Sequence, residues 1–267
     1  MPQAVSTSGL DLPKLRSPEG IITKNVAAII ETGPLEKIDP LLLYFSSVLG
    51  PEWPIVLFTM QDIIPTSSPF RRAIDELRIS VRFLTRPSVH VSNHQARSSV
   101  LTKASFWEQL APAEHVLLFQ SDSILCANSH YRIEDFLEYD FVGTQILEEE
   151  AVDKHGGKII GSLDSGLSLR NRSMVLDIIK ASDFENESAH AHNMEISEDQ
   201  WFYQKILQLP LRPDRQNGVR LPSVKVATSF SAETISYDRP LGYRHVRRWG
   251  AEKTEEMDRW CPEHRLT

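Results

Sequence analysis

HVLLFQSDSILC, residues 115–126, is the run whose reading decides the fold. Val116 to Phe119 is an unbroken apolar stretch of the kind that forms a strand buried on both faces. Gln120, Ser121, Asp122 and Ser123 follow at once, before apolar residues resume. In an open parallel sheet, ligands gather beyond the carboxyl ends of the strands. An acid placed there can hold a hard divalent cation, which in turn can neutralise a diphosphate. It can equally do no more than open a turn.

Upstream, the same kind of run recurs. Asn25–Glu31 (NVAAIIE), Trp53–Thr59 (WPIVLFT) and Ile79–Leu84 (ISVRFL) are predicted strands, and Glu31-Thr32-Gly33-Pro34 closes the first. Helical spacing of apolar residues predicts helices over 38–49, 70–77 and 98–110, the first stopped by Gly50-Pro51. Strands alternating with helices predict an α/β fold, a mostly parallel central sheet flanked by helices in a single domain. Residues 25–125 are expected to be the nucleotide-binding half of such a fold and 126–267 its other half. Residues 1–24, rich in Pro, Ser and Gly, are expected to form a flexible tail.

Downstream the rhythm changes. A short helix at 133–137 and a strand at 139–143 leading out of the sheet are expected, then a mobile loop over 148–158. A short strand at 166–169 and helices over 171–181 and 198–207 follow. Residues 182–196 are polar and aperiodic, as in long loops that cover sites. The prolines at 210, 213, 222 and 240 make extended segments the expectation beyond.

The 267 residues carry a net charge of −7 with a sequence pI of about 5.7, which excludes an electrostatic case for nucleic acid. No apolar run approaches the roughly 18 residues that span a bilayer, and the first residues lack a signal-peptide order. Cys126 and Cys261 have no framework or metal-ligand spacing, so free thiols and a cytoplasmic location are expected. Neither GxGxxG nor GxxxxGK[ST] occurs, which counts against dinucleotide oxidoreductases and P-loop NTPases.

Three further constellations carry possible chemistry. In Asp164-Ser165-Gly166, a glycine lets backbone approach a ligand closely, or simply makes a turn. In Ser197-Glu198-Asp199 the acids suit the start of a helix, and one of them could deprotonate an acceptor hydroxyl. Around Tyr243-Arg244-His245-Val246-Arg247, imidazole is a common metal ligand and arginines suit phosphate oxygens; a surface histidine among basic neighbours is the plainer reading. His190 and His192 could also share a metal.

The ordered series ETG, LGPEWPIVLFT, SFWEQL, HVLLFQSDSIL, IEDFLEYDFVGTQI, GLSLRNR, EDQWF, FSAET and PLGY…RRW, over about 25–250, resembles a mostly fungal glycosyltransferase-like family catalogued as a domain of unknown function. That family is similar to GT-A glycosyltransferases, which use a nucleotide-sugar donor and usually a divalent metal on a D-x-D motif. The resemblance implies Asp122 as the last acid of that motif, with Gln120 in place of the first. It implies Asp122 and His245 as ligands of Mn²⁺ or Mg²⁺, with Arg244 interrupting the expected Gly-aromatic-His order. Donor contacts would come from Glu31, Thr32, Ser121, Asp122, Ser123, Ser165, Gly166 and Arg247, with Gly33 standing where a basic residue is expected. Asp199, with Glu198 beside it, would be the catalytic base.

The function expected is therefore transfer of a sugar from a nucleotide-diphosphate donor, a UDP-sugar, to an acceptor hydroxyl, metal-assisted and with inversion. A catalytically inactive GT-A-like scaffold is the alternative, on the strength of Gln120 and the displaced His245. A nucleotidyltransferase is the third reading, weakened by the missing Gly-rich phosphate loop.

Overall fold

A computed structural model describes residues 22–35, 38–61, 64–85, 93–152, 158–190, 197–210, 218–233, 235–245 and 250–267. The chain begins β1 (Asn25–Glu31), α1 (Ile38–Leu49), β2 (Ile55–Thr59), α2 (Ser68–Asp75) and β3 (Ile79–Phe83). It continues through α3 (Asn93–Leu101), α4 (Ala104–Glu108), β4 (His115–Phe119) and β5 (Ser123–Leu125). Then come β6 (Phe141–Val152), β7 (Lys158–Asn171), α5 (Arg172–Ala181), α6 (Phe184–His190) and α7 (Glu198–Gln208). Last are α8 (Val224–Phe230), β8 (Ser231–Ala232), β9 (Gly242–Arg244) and α9 (Ala251–Trp260).

Six strands form the central sheet in the order β3-β2-β1-β4-β7-β6. The pairs β3–β2, β2–β1 and β1–β4 are parallel, while β7 runs antiparallel to both β4 and β6. The fold is therefore mixed α/β with a mostly parallel sheet, as expected. From β1 the chain steps to β2 on one side and later to β4 on the other. The crevice at their carboxyl ends is the topological switch point, where such sheets bind ligands.

Helices cover both faces of this sheet, which is why its strands read as continuous apolar runs. Ala27 and Ile29 of β1 face one core, with Phe45, Leu57 and Phe119. Val26, Ala28 and Ile30 face the other, with Phe58, Trp107, Val116 and Leu118. Successive side chains of a strand point to opposite faces. Each large aliphatic or aromatic side chain fully buried this way contributes roughly 1.5–3 kcal/mol.

Several expected elements differ. The helix expected over 98–110 is broken into α3 and α4: Thr102 Oγ1 turns back to the Ser98 carbonyl (2.8 Å), and the Trp107 indole donates to the Leu101 carbonyl (2.7 Å) across the break. The strand at 139–143 does not lead away from the sheet; β6 and β7 are its long antiparallel edge pair, joined as far as Val152↔Lys158 with register shifts after Gly143, Ile146 and Leu147. Main-chain pairing in an edge hairpin needs no apolar run, so the expected loop is strand up to Val152, and 153–157 lie outside the described residues. The polar segment after 182 holds α6, where Asp183 Oδ1 accepts from the Asn186 amide (3.1 Å); residues 191–196 are outside the described residues. Past residue 220 the prolines do not exclude helices: α8 follows Pro222 and α9 forms beyond Pro240. Pro222 precedes Ser223, whose hydroxyl caps α8, and Pro262 follows α9. Of the expected tail, 1–21 are outside the described residues.

One finding overturns an expectation outright. Cys126, just after β5, and Cys261, at the end of α9, form a disulfide across a sequence separation of 135. No spacing pattern signals a bridge between residues so far apart; only the packing of the turn at Pro262–Leu266, which follows α9, against β5 brings the thiols together. Disulfides persist in oxidising compartments. The ground on which a cytoplasmic location was expected is thereby removed.

Candidate functional site

Beyond β4 the chain turns through Gln120–Asp122 into β5, which pairs antiparallel with β9. The register sets Ser123 opposite Arg244 and Ile124 opposite Tyr243. Gly242 permits this pairing, since a β-carbon there would press on the Ile124 carbonyl. The ladder delivers Arg244 and His245 to Asp122: the His245 amide donates to the Asp122 carbonyl (3.1 Å), and His245 Nε2 lies 2.7 Å from Asp122 Oδ2. His245 has φ +49, an uncommon left-handed conformation for a non-glycine residue. Its other ring nitrogen is 2.7 Å from Glu233 Oε1. The imidazole thus bridges two carboxylates, and these hydrogen bonds, to Asp122 and then to Glu233, raise its pKa above the ordinary value. Burial works to raise the Asp122 carboxyl, but His245 and Arg244 outweigh it and hold that carboxyl below its usual range.

The Asp164–Gly166 segment of β7 meets this corner from the neighbouring strand. The Gly166 carbonyl accepts from the Gln120 amide (2.8 Å) and from Ser123 Oγ (2.6 Å). Asp164 Oδ1 accepts from the Gly166 amide (2.6 Å) and forms an ion pair with Arg244 Nη1. A β-carbon at Gly166 would overlap the Arg244 guanidinium. Gly166 thus sits inside β7 rather than at a turn, and the end of the Arg244 side chain fills the space a β-carbon would take.

On the far side of the same segment stands the start of α7. Ser197 caps it, accepting from the Gln200 amide, while Gln200 Oε1 accepts from the Ser197 amide. This cap holds Glu198 and Asp199 in the first turn. Asp199 Oδ1 accepts from the Ser165 amide (3.1 Å), and Ser165 Oγ donates to Glu198 Oε2 (3.4 Å). Glu198 is buried, 3.5 Å from Arg170 Nη2. Arg170 is itself fully buried, its guanidinium 4.7 Å from the centre of the Phe141 ring and 5.3 Å from that of Phe202. Burial, and then Asp199 alongside, push the Glu198 carboxyl well above 4.5, against the pull of Arg170.

Asp122, Ser123, Ser165, Gly166, Glu198, Asp199 and His245 are thus gathered around one segment of β7. Glu31 and Thr32 lie at the end of β1, across the switch-point crevice from Ser121, which is exposed. Glu31 Oε1 is taken by the Gly33 amide (2.8 Å), whereas Thr32 Oγ1 is buried with no hydrogen-bond partner among the described residues. Arg247 and His192 are outside the described residues, as is the side chain of His190. Sequence reasoning missed four participants: Asp164 and Arg244 as an ion pair, Glu233 as the partner of His245, and Arg170 beneath Glu198. Glu233 and Arg170 do lie within the FSAET and GLSLRNR motifs, which were their only signal.

The residues do not fit a divalent cation. Asp122 Oδ2 and His245 Nε2 are turned on each other, His245 Nδ1 on Glu233, and Asp164 on a guanidinium and an amide. Arg244 Nη2 is 3.3 Å from both Gln120 Oε1 and His245 Nε2, so a positive charge already lies beside both expected ligands. Among the described residues no group of three or more His, Cys, Asp or Glu is placed to hold a metal ion.

Residues 78–244 match a family described as "Protein of unknown function (DUF5672)". No curated protein matches the sequence. Among solved structures, TarS 1–349 of S. aureus is similar over 68% of this chain and 55% of its own, with 14% identity and a TM-score of 0.40. The glycosyltransferase GlyE of Streptococcus pneumoniae TIGR4 is similar over 84% and 55%, at 13% identity and TM-score 0.42. Core-mannan synthase A (CmsA/Ktr4) of Aspergillus fumigatus, in a Mn/GDP form, is similar over 69% of each chain, at 9% identity and TM-score 0.40. The chain spans about half the length of the TarS and GlyE chains it matches.

Proposed function

This chain belongs to the DUF5672 family, whose description assigns no activity, and from its own site we propose that it is a glycosyltransferase of the GT-A kind. One observation carries the reading. The Ser165–Gly166 backbone is held by Asp199 on one side and by the post-β4 segment with Asp122 on the other. A proton acceptor and a polar shelf at the switch point are thereby set next to each other, as group transfer from an anionic leaving group requires. The motif order that resembles glycosyltransferases supports the same reading.

In this mechanism a nucleotide-diphosphate sugar, a UDP-sugar in the simplest case, lies in the crevice between β1 and β4. Thr32 and Ser121 offer hydroxyls to it, while Ser123 holds the Gly166 carbonyl beneath. The acceptor oxygen attacks the anomeric carbon as the bond from that carbon to the diphosphate breaks, and the nucleoside diphosphate leaves with the bonding pair. Asp199 takes the acceptor's proton. A single displacement of this kind inverts the anomeric centre. Glu198 lies beside Asp199 with its carboxyl raised by burial, against the pull of Arg170.

Incubation with radiolabelled nucleotide sugars, followed for both transfer and release of nucleoside diphosphate, tests the proposal. Turnover that disappears in Asp199→Asn is the expected result. Failure to bind or turn over any member of the panel sinks it. A chain that binds nucleotide but turns over no nucleotide sugar of the panel is instead the inactive scaffold.

A further inference from the structure

Resting on the donor-site reading above, we infer that Arg244 is the built-in cation of this site, and that a nucleoside diphosphate binds there without a divalent metal. Three features of the structure carry the inference. The guanidinium is buried in the acidic corner itself: Nη1 pairs with Asp164, Nη2 reaches Gln120 Oε1 at 3.3 Å, and Nε lies 4.0 Å from Asp122 Oδ1. A fixed positive charge within that distance of Asp122 offsets the carboxylate and repels any further cation brought to the same oxygens.

The backbone around the guanidinium is shaped to admit it. It lies over Gly166, where any side chain would displace it, and the β5–β9 ladder sets Arg244 opposite Ser123. Position 120 is also matched to it. Gln120 presents an uncharged carbonyl oxygen to the guanidinium, so the charge at Arg244 faces Asp122 and Asp164, with Glu233 held off behind His245 and no acid at position 120. The neutral residue at 120 and the arginine at 244 lie far apart along the chain, yet they touch.

Arginine suits this task. Its guanidinium stays charged at every physiological pH, presents several N–H groups in a fixed fork, and loses less on leaving water than an ammonium does. A charge held this way is present before the ligand arrives. A metal would have to be captured together with the diphosphate.

Isothermal titration of the full chain with UDP and with GDP, each in excess EDTA and again in excess MnCl₂, tests the inference. The expected Kd differs by less than about twofold between the two conditions, and Arg244→Gln weakens it about ten- to a hundredfold, the size of a lost charge-assisted interaction. Arg244→Lys, which keeps the charge and loses the fork, should fall between. Wild-type binding that requires Mn²⁺ overturns the inference and leaves the donor-site reading standing. Metal-free binding untouched by Arg244→Gln overturns the role given to Arg244. No binding of either nucleotide, or of any nucleotide sugar, in either condition overturns the donor-site reading and the inference with it. Should Arg244→Gln not fold, Arg244→Lys still decides: metal-free affinity kept to within about tenfold of the wild type supports a charge at that place, and loss to background overturns it.

Discussion

Asp122 and Asp199 were both visible as acids at informative places, one after a buried strand and one in the first turn of a helix. Their neighbours were not. Glu233 reaches His245 only because β8 and β9 pair, and nothing near position 245 in the chain announces that partner. If Asp199 is the base, Asp199→Asn should slow transfer by about 10²–10⁴-fold, the usual worth of a positioned proton acceptor. Its nucleotide affinity, read by titration, should stay as in the wild type. Glu198 lends itself to a pH measurement. Its carboxyl holds its proton more tightly folded than unfolded, so its contribution favours the native state below 4.5 and is lost as pH rises toward the folded-state value. Glu198→Gln, uncharged throughout, lacks that loss. Thermal unfolding of the two proteins should therefore show the wild type falling behind the variant as pH rises above 4.5, and parallel curves would contradict it.

Among the elements, the parallel strands and α1 were the most legible, because burial on two faces or one helical stripe leaves a periodic trace. The edge hairpin, α6, α8 and α9 were less so: their residues are polar or short in sequence, and hydrogen bonding or capping rather than apolar periodicity holds them. Two elements that aim the site can be probed directly. Ser197→Ala removes the cap of α7 and should cost about 1 kcal/mol in urea unfolding. Because the cap also orients Asp199, the variant should lose transfer rate more than nucleotide affinity. Gly166→Ala places a methyl group where the Arg244 guanidinium lies, so nucleotide affinity should drop as it does in Arg244→Gln. An unchanged Kd there would mean that Arg244 can move aside at no cost.

At the level of the whole molecule, the disulfide ties the end of α9 to β5, and through the β5–β9 ladder to the strand that carries Arg244 and His245. A bridge closing a loop this long stabilises mainly by restricting the unfolded chain. Replacing Cys126 and Cys261 together by Ser should lower stability by about 2–5 kcal/mol in equilibrium unfolding. Dithiothreitol should reproduce the effect in the wild type and do nothing further to the variant.

The amino-acid sequence by itself determined the α/β class, the succession of parallel strands and the acid at the end of β4. Each of those is written in local periodicity and in what directly follows a strand. Only the tertiary structure decided that Cys126 meets Cys261, that Glu233 holds His245, and that Arg244 lies over Gly166 between Asp122 and Asp164. These contacts join segments distant in the chain, and their partners are chosen by sheet order and strand register, which no local pattern encodes.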